Sequence, residues 1–126
     1  MKTHEIEAWA LRVIQRVRSG GGVEDFRVEL KRELIDPEKA ARRIAGHANS
    51  AGGEPILWII GIDEKTGGVV DVKANFANWW SSVQSRFNGI APLLIDIAMS
   101  VEGKNVFALL FQTDRRPFVV KTPSGR

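Results

Sequence analysis

Residues 56–62, Ile-Leu-Trp-Ile-Ile-Gly-Ile, constrain the fold more than any other stretch of this chain. Seven residues without a polar side chain cannot share themselves between water and core. The strand they form must be covered on both faces and lie inside a sheet. Gly52-Gly53 upstream ends a helix, and Asp63 stops the apolar run. That helix also has a marked start, with Asp36 as cap, Pro37 in the first turn and Glu38 beside the positive helix end. It runs to about Ser50 and buries Ala41, Ile44, Ala45 and Ala48.

The other segments supply what such a strand needs as cover. Ile6, Ala10, Val13, Ile14 and Val17 recur at spacings of three and four, which predicts an amphipathic helix ending at a Gly20-Gly21-Gly22 hinge. Phe26, Val28 and Leu30 alternate with Asp25, Arg27, Glu29 and Lys31, the period of a half-buried strand. Lys65-Thr66-Gly67-Gly68 turns the chain into residues 69–73, so a hairpin is expected there. Phe76, Trp79, Trp80, Val83 and Phe87 mark another helix. Residues 93–101 and 106–111 read as strands joined across 102–105, and 118–121 as a short closing strand. The expected class is α+β: a mixed, largely antiparallel sheet of about five to six strands with about three helices packed on it. The expected division is an N-terminal helix and glycine hinge over 1–22, a domain over 23–121, and a tail or linker over 122–126.

Composition narrows the chemistry. A chain of 126 residues, 44% hydrophobic and 26% charged, holds one ordinary core. Cysteine is absent, which excludes disulfides, Cys-ligated zinc and thiol catalysis. No apolar run approaches the roughly 20 residues of a membrane span, so no membrane association is expected. Met1-Lys2-Thr3-His4-Glu5 has no apolar stretch behind it, so no signal peptide is read and a cytoplasmic location is the default. The net charge of +3 and pI near 9.6 permit a polyanionic partner without demanding one. Basic residues cluster at Lys31-Arg32, Arg42-Arg43 and Arg115-Arg116, each equally consistent with a solvated face.

Five constellations could carry chemistry. Glu24, Glu29 and Asp63 flank strands and could converge on a hard divalent cation, although acids commonly sit at strand ends. Glu24 and Glu29 are five positions apart, so one regular strand would point them to opposite faces. Gly52-Gly53 follows a helix instead of preceding one and is not followed by Lys-Ser or Lys-Thr; no nucleotide is expected there. His4 and His47 are too far apart for a recognisable pair, and His47 reads as a surface or capping group. Trp79-Trp80 fits core packing better than base stacking. Pro117 confines Arg115-Arg116 to an edge or loop, a place suited to phosphate contact or to an ordinary charged loop.

Together these pieces resemble one family. "EDFRVELK" is similar to the Glu-(Ser/Asp)-x-x-x-Glu-Phe-Lys motif of Schlafen AlbA-2 domains. "IAGHANSAGGEPILWIIGID" resembles their helix end and following strand, and "TDRRPFVV" their later Ser-x-x-Arg-Pro segment. The resemblance covers about residues 23–121. It implies a nucleic-acid-binding domain with basic contacts from Lys31, Arg42, Arg43, Arg115 and Arg116, on RNA or DNA. Its stronger form implies a metal-dependent endoribonuclease acting on structured RNA such as tRNA. Glu24, Glu29 and Asp63 would then hold Mg²⁺ or Mn²⁺, with Lys31 stabilising developing charge. A two-lobed clamp around RNA would require a homodimer. Leu30 in place of Phe, Gly46-His47 in place of Ala-Phe, and the longer link from Gly53 to Gly61 depart from the motifs. The alternatives are a non-catalytic DNA-binding module of a longer regulatory or defence protein, and a protein-interaction or oligomerisation domain using the first helix.

Overall fold

The computed structural model describes residues 1–122. Most of the expected tail, 123–126, lies outside the described residues. Three helices, α1 (Thr3–Arg18), α2 (Pro37–Ser50) and α3 (Phe76–Gln84), enclose strands β1 (Val28–Lys31), β2 (Ile56–Ile60), β3 (Leu93–Val101) and β4 (Lys104–Gln112). The sheet order is β1-β2-β4-β3, with β1 parallel to β2 and the other two pairs antiparallel. The fold is therefore α+β, and among the described residues its mixed sheet has four strands where five to six were expected.

All five residues of β2 are buried. Ile56, Trp58 and Ile60 face α2 and α3, while Leu57 and Ile59, followed by Ile62, face the α1 side. The strand's side chains thus divide between two cores, one on each face of the sheet. In α1, Ile6, Ala10, Ile14 and Val17 are buried against Val28, Leu57, Val106 and Leu110. The apolar stripe of α1 is thus spent on its own sheet. In α2, the Asp36 carboxylate accepts the N–H groups of Glu38 and Lys39, each at 3.2 Å, and Pro37 occupies the first turn.

Two expected strands are shorter than the pattern suggested. Residues 69–73 make one bridge, Ile62 to Val69, before the chain peels away: Val72 N–H donates to Asn105 O, and Asp71 accepts from Asn105 N–H. Residues 118–121 make one bridge, Phe87 to Val120. That bridge also accounts for Phe87, which turns out of α3 three residues after Gln84 to meet it. The β3–β4 connection is tighter than read. Glu102 and Gly103 both have positive φ, so β4 begins at Lys104.

β1 also begins late. Asp25 O accepts from Val28 N–H at 3.0 Å, and the Asp25 carboxylate takes the Arg27 backbone N–H at 2.9 Å and its guanidinium at 3.0 and 3.1 Å. This turn removes Phe26 from the strand and leaves the residue 68% exposed, where alternation places it in the core.

Candidate nucleic-acid interface

Because β1 and β2 are parallel and joined through α2, the exposed flank of α2 stands beside β1. Lys31 at the end of β1 and Lys39, Arg42 and Arg43 along α2 line a common groove of about 400 Å³ whose fifth member is Ile35. Every charged residue of its lining is a cation. The compensating carboxylates stand behind it. Glu29 Oε1 holds Arg43 Nη1 at 3.0 Å and Lys31 Nζ at 3.3 Å, and Glu38 holds Arg42 at 3.0 Å. Lys39 makes no ion pair among the described residues. Four cations against those two anions leave a surplus of two. Arg42 and Arg43 are more than half exposed, so their pairs are weak and can exchange for a phosphate.

Lys31, Arg42 and Arg43, three of the five basic residues named from the sequence, line this one groove. Lys39 also lines the groove, although its position in the first turn of α2 reads in the sequence as ordinary helix surface. Arg115 and Arg116 lie elsewhere. The Arg116 guanidinium stacks close to Gly53, beyond the C-terminal end of α2, and a Cβ there would sit 2.8 Å from Nη1. Arg42 and Arg43 sit near the middle of the 14-residue α2 and Gly53 lies past its C-terminal end, so Arg116 stands apart from the groove. Asn49 fixes the segment that follows Arg115 and Arg116. Its side chain accepts from Phe118 N–H at 2.7 Å and donates to Phe118 O at 2.9 Å.

The three carboxylates have separate settings. Glu24 is exposed and pairs with Arg16 of α1 at 2.7 Å, on the α1 side of the sheet. Glu29 faces α2. Asp63 forms the turn after β2: Oδ1 accepts the N–H groups of Lys65 (2.8 Å) and Thr66 (3.1 Å), and Oδ2 lies 3.4 Å from Arg32 Nε. Those backbone donors, Thr66 first and Lys65 second, hold the Asp63 carboxyl below its ordinary range. Among the described residues no three His, Asp or Glu groups lie together as a metal-ligand set. Glu24 and Glu29 on opposite faces do not fit a shared cation.

The groove beside Asp63 is charge-balanced, with Lys31, Arg32 and Lys65 against Glu33, Asp63 and Glu64. On the α1 side, the Arg27 guanidinium is held by Asp25 and lies 5.2 Å from the Trp9 ring centre, and Arg16 is held by Glu24. Neither matches the cationic groove beside α2. His47, read as a surface or capping group, has a different place. Its Nδ1 accepts from Trp58 Nε1 at 3.0 Å and its Nε2 donates to Phe26 O at 2.7 Å. Only the neutral Nε2–H tautomer satisfies both bonds.

The chain shares its fold with two solved structures. The DIP2311 protein from Corynebacterium diphtheriae superposes with a TM-score of 0.66 and 22% identity, over 98% of this chain and 24% of that one. This chain thus spans about a quarter of that protein. The N-terminal domain of a RecG-related protein from Nitrosomonas europaea superposes with a TM-score of 0.57 and 16% identity, over 90% of this chain and 81% of that domain. No known family's sequence profile and no curated protein matches the chain. Among the described residues no helix is long and apolar enough to cross a membrane.

Proposed function

We infer that this chain is a nucleic-acid-binding domain whose contact surface is the groove between the end of β1 and α2. The observation that carries this reading is the convergence of Lys31, Lys39, Arg42 and Arg43 on one groove with no anion in its lining. A nucleic-acid backbone supplies the repeated negative charge such a surface matches. The Schlafen AlbA-2 resemblance supports the same reading, as does the likeness to the N-terminal domain of a protein described as a putative ATP-dependent DNA helicase RecG-related protein. Binding of labelled tRNA and of duplex DNA across a salt series, with Mn²⁺ or with EDTA, tests it. Retention that weakens steeply with salt supports the reading, and no retention at low salt would sink it.

The endoribonuclease form receives no support from the donor geometry, because Glu24, Glu29 and Asp63 are each engaged in a different place. Metal-dependent cutting in the same assay, abolished by Glu29→Ala and by Asp63→Ala, would restore it. A non-catalytic binding module is what the groove favours.

A further inference from the structure

We propose that Phe26 is a stacking platform for one unpaired base, so that the domain takes single-stranded nucleic acid in preference to a duplex. The proposal rests on the nucleic-acid-binding reading and specifies the form of its ligand. Of the ten aromatic side chains in the sequence, Phe26 is the only exposed one; the other nine are buried or half-buried. An isolated exposed Phe is unremarkable in itself. Two features set this one apart.

The first is rigidity. Phe26 stands at the crest of a turn clamped from three directions: the Asp25–Arg27 hydrogen bonds, the Leu57 N–H donating to Arg27 O at 2.8 Å, and the His47 Nε2 donating to Phe26 O. A fixed backbone leaves only the two side-chain torsions of the ring to be ordered when another ring covers it. The second is location. Phe26, Glu29, Arg43, His47 and Trp58 line a recess of about 230 Å³. That is smaller than the roughly 300–1,000 Å³ of sites for whole small-molecule ligands. Arg43 belongs both to this recess and to the cationic groove. A strand whose phosphates follow Lys39, Arg42 and Arg43 therefore passes beside an exposed aromatic face. Every base has a π-face to offer, but only an unpaired base can leave its stack to use it.

Fluorescence anisotropy with a labelled 12-nucleotide single-stranded DNA, the RNA of the same sequence, and the corresponding DNA duplex tests this. The proteins compared are wild type, Phe26→Ala, Phe26→Trp and Lys39→Glu/Arg42→Glu, each checked for an unchanged melting midpoint. We expect Phe26→Ala to bind the single strands roughly 5- to 100-fold more weakly, Phe26→Trp to retain binding, and duplex binding to change less than twofold. The RNA and DNA arms show whether the 2′-hydroxyl adds to the contact. Equal loss on single strand and duplex, or none on either while the groove variant loses both, overturns the stacking role and leaves the binding reading standing. If the wild type binds none of the three, the reading itself fails and the proposal falls with it.

Discussion

The Asn49 side chain pairs with the backbone of Phe118 as a neighbouring strand would, accepting its N–H at 2.7 Å and donating to its carbonyl at 2.9 Å. Asn is suited to this because its amide presents a donor and an acceptor side by side, as a peptide does. The contact ties the end of α2 to the segment after Arg115 and Arg116 and lets Phe118 stay buried. Asn49→Ala leaves two backbone groups of a buried residue unpaired. It should cost about 1–3 kcal/mol and lower the melting midpoint by roughly 3–10 °C, measured by circular dichroism. Asn49→Asp keeps the acceptor but sets a carboxylate oxygen against the carbonyl, so it should be no better than Ala. A midpoint unchanged in both variants would refute the role.

Glu29 restrains the cations of the groove. Its Oε1 is shared by Arg43 and Lys31, and its negative charge offsets part of the positive charge they present to a phosphate. Glu29→Gln should therefore tighten nucleic-acid binding severalfold at low salt, with the gain shrinking as salt rises. A metal-ligand role makes the opposite forecast, since the same variant would lose Mg²⁺- or Mn²⁺-dependent activity. Equilibrium titration of the variant with and without Mn²⁺ separates the two.

Gly61 has no substitute at the end of β2. Its φ is +114°, and a Cβ there would stand 2.9 Å from Val70 O and 3.1 Å from Val72 Cγ2. Gly61→Ala should lower the melting midpoint by roughly 5–15 °C through strained backbone and displaced neighbours. Gly22→Ala, where a Cβ meets nothing within 4 Å, is the matched control and should change little.

Acid should weaken the fold through two aspartates. Hydrogen bonds from the Arg27 side chain are the main influence holding the Asp25 carboxyl below its ordinary range, and backbone N–H groups do the same for Asp63. A carboxyl depressed in the folded state contributes stability that is fully present above its unfolded value, near pH 4. That contribution is lost as pH falls from there through the lowered folded value. Urea midpoints at pH 7 and pH 3 should fall with acid. Asp25→Asn should reduce the difference, and a difference unchanged in that variant would rule Asp25 out as a source.

The features legible in the sequence are those set by neighbouring residues. β2 announces its central place by having no polar side chain, and α2 its start by Asp36-Pro37. The face to which an acid points is not local, because it depends on where the strand begins. The Asp25 turn delays β1 to Val28, and this brings Phe26 to the surface. Glu24 and Glu29 fall on opposite sides of the sheet, as their five-residue spacing would dictate in a regular strand. Asp63, which stops the apolar run, builds the turn that follows β2. The bond between Asn49 and Phe118 spans 69 residues and leaves no periodic trace. Likewise the sheet edges at 69–73 and 118–121 have strand-like patterns but lack a partner beyond single bridges among the described residues.

The salt dependence of binding reports whether the groove of Lys31, Lys39, Arg42 and Arg43 holds nucleic acid. Four phosphate contacts predict a plot of log K against log salt with a slope of about −3 for a single strand. Lys39→Gln/Arg42→Gln should weaken binding and flatten the slope by about 1.4, while Arg12→Gln on the α1 side leaves both unchanged. No binding by the wild type at 50 mM salt (about the low end of the usual range), or equal slopes for the wild type and the double variant, would contradict the account.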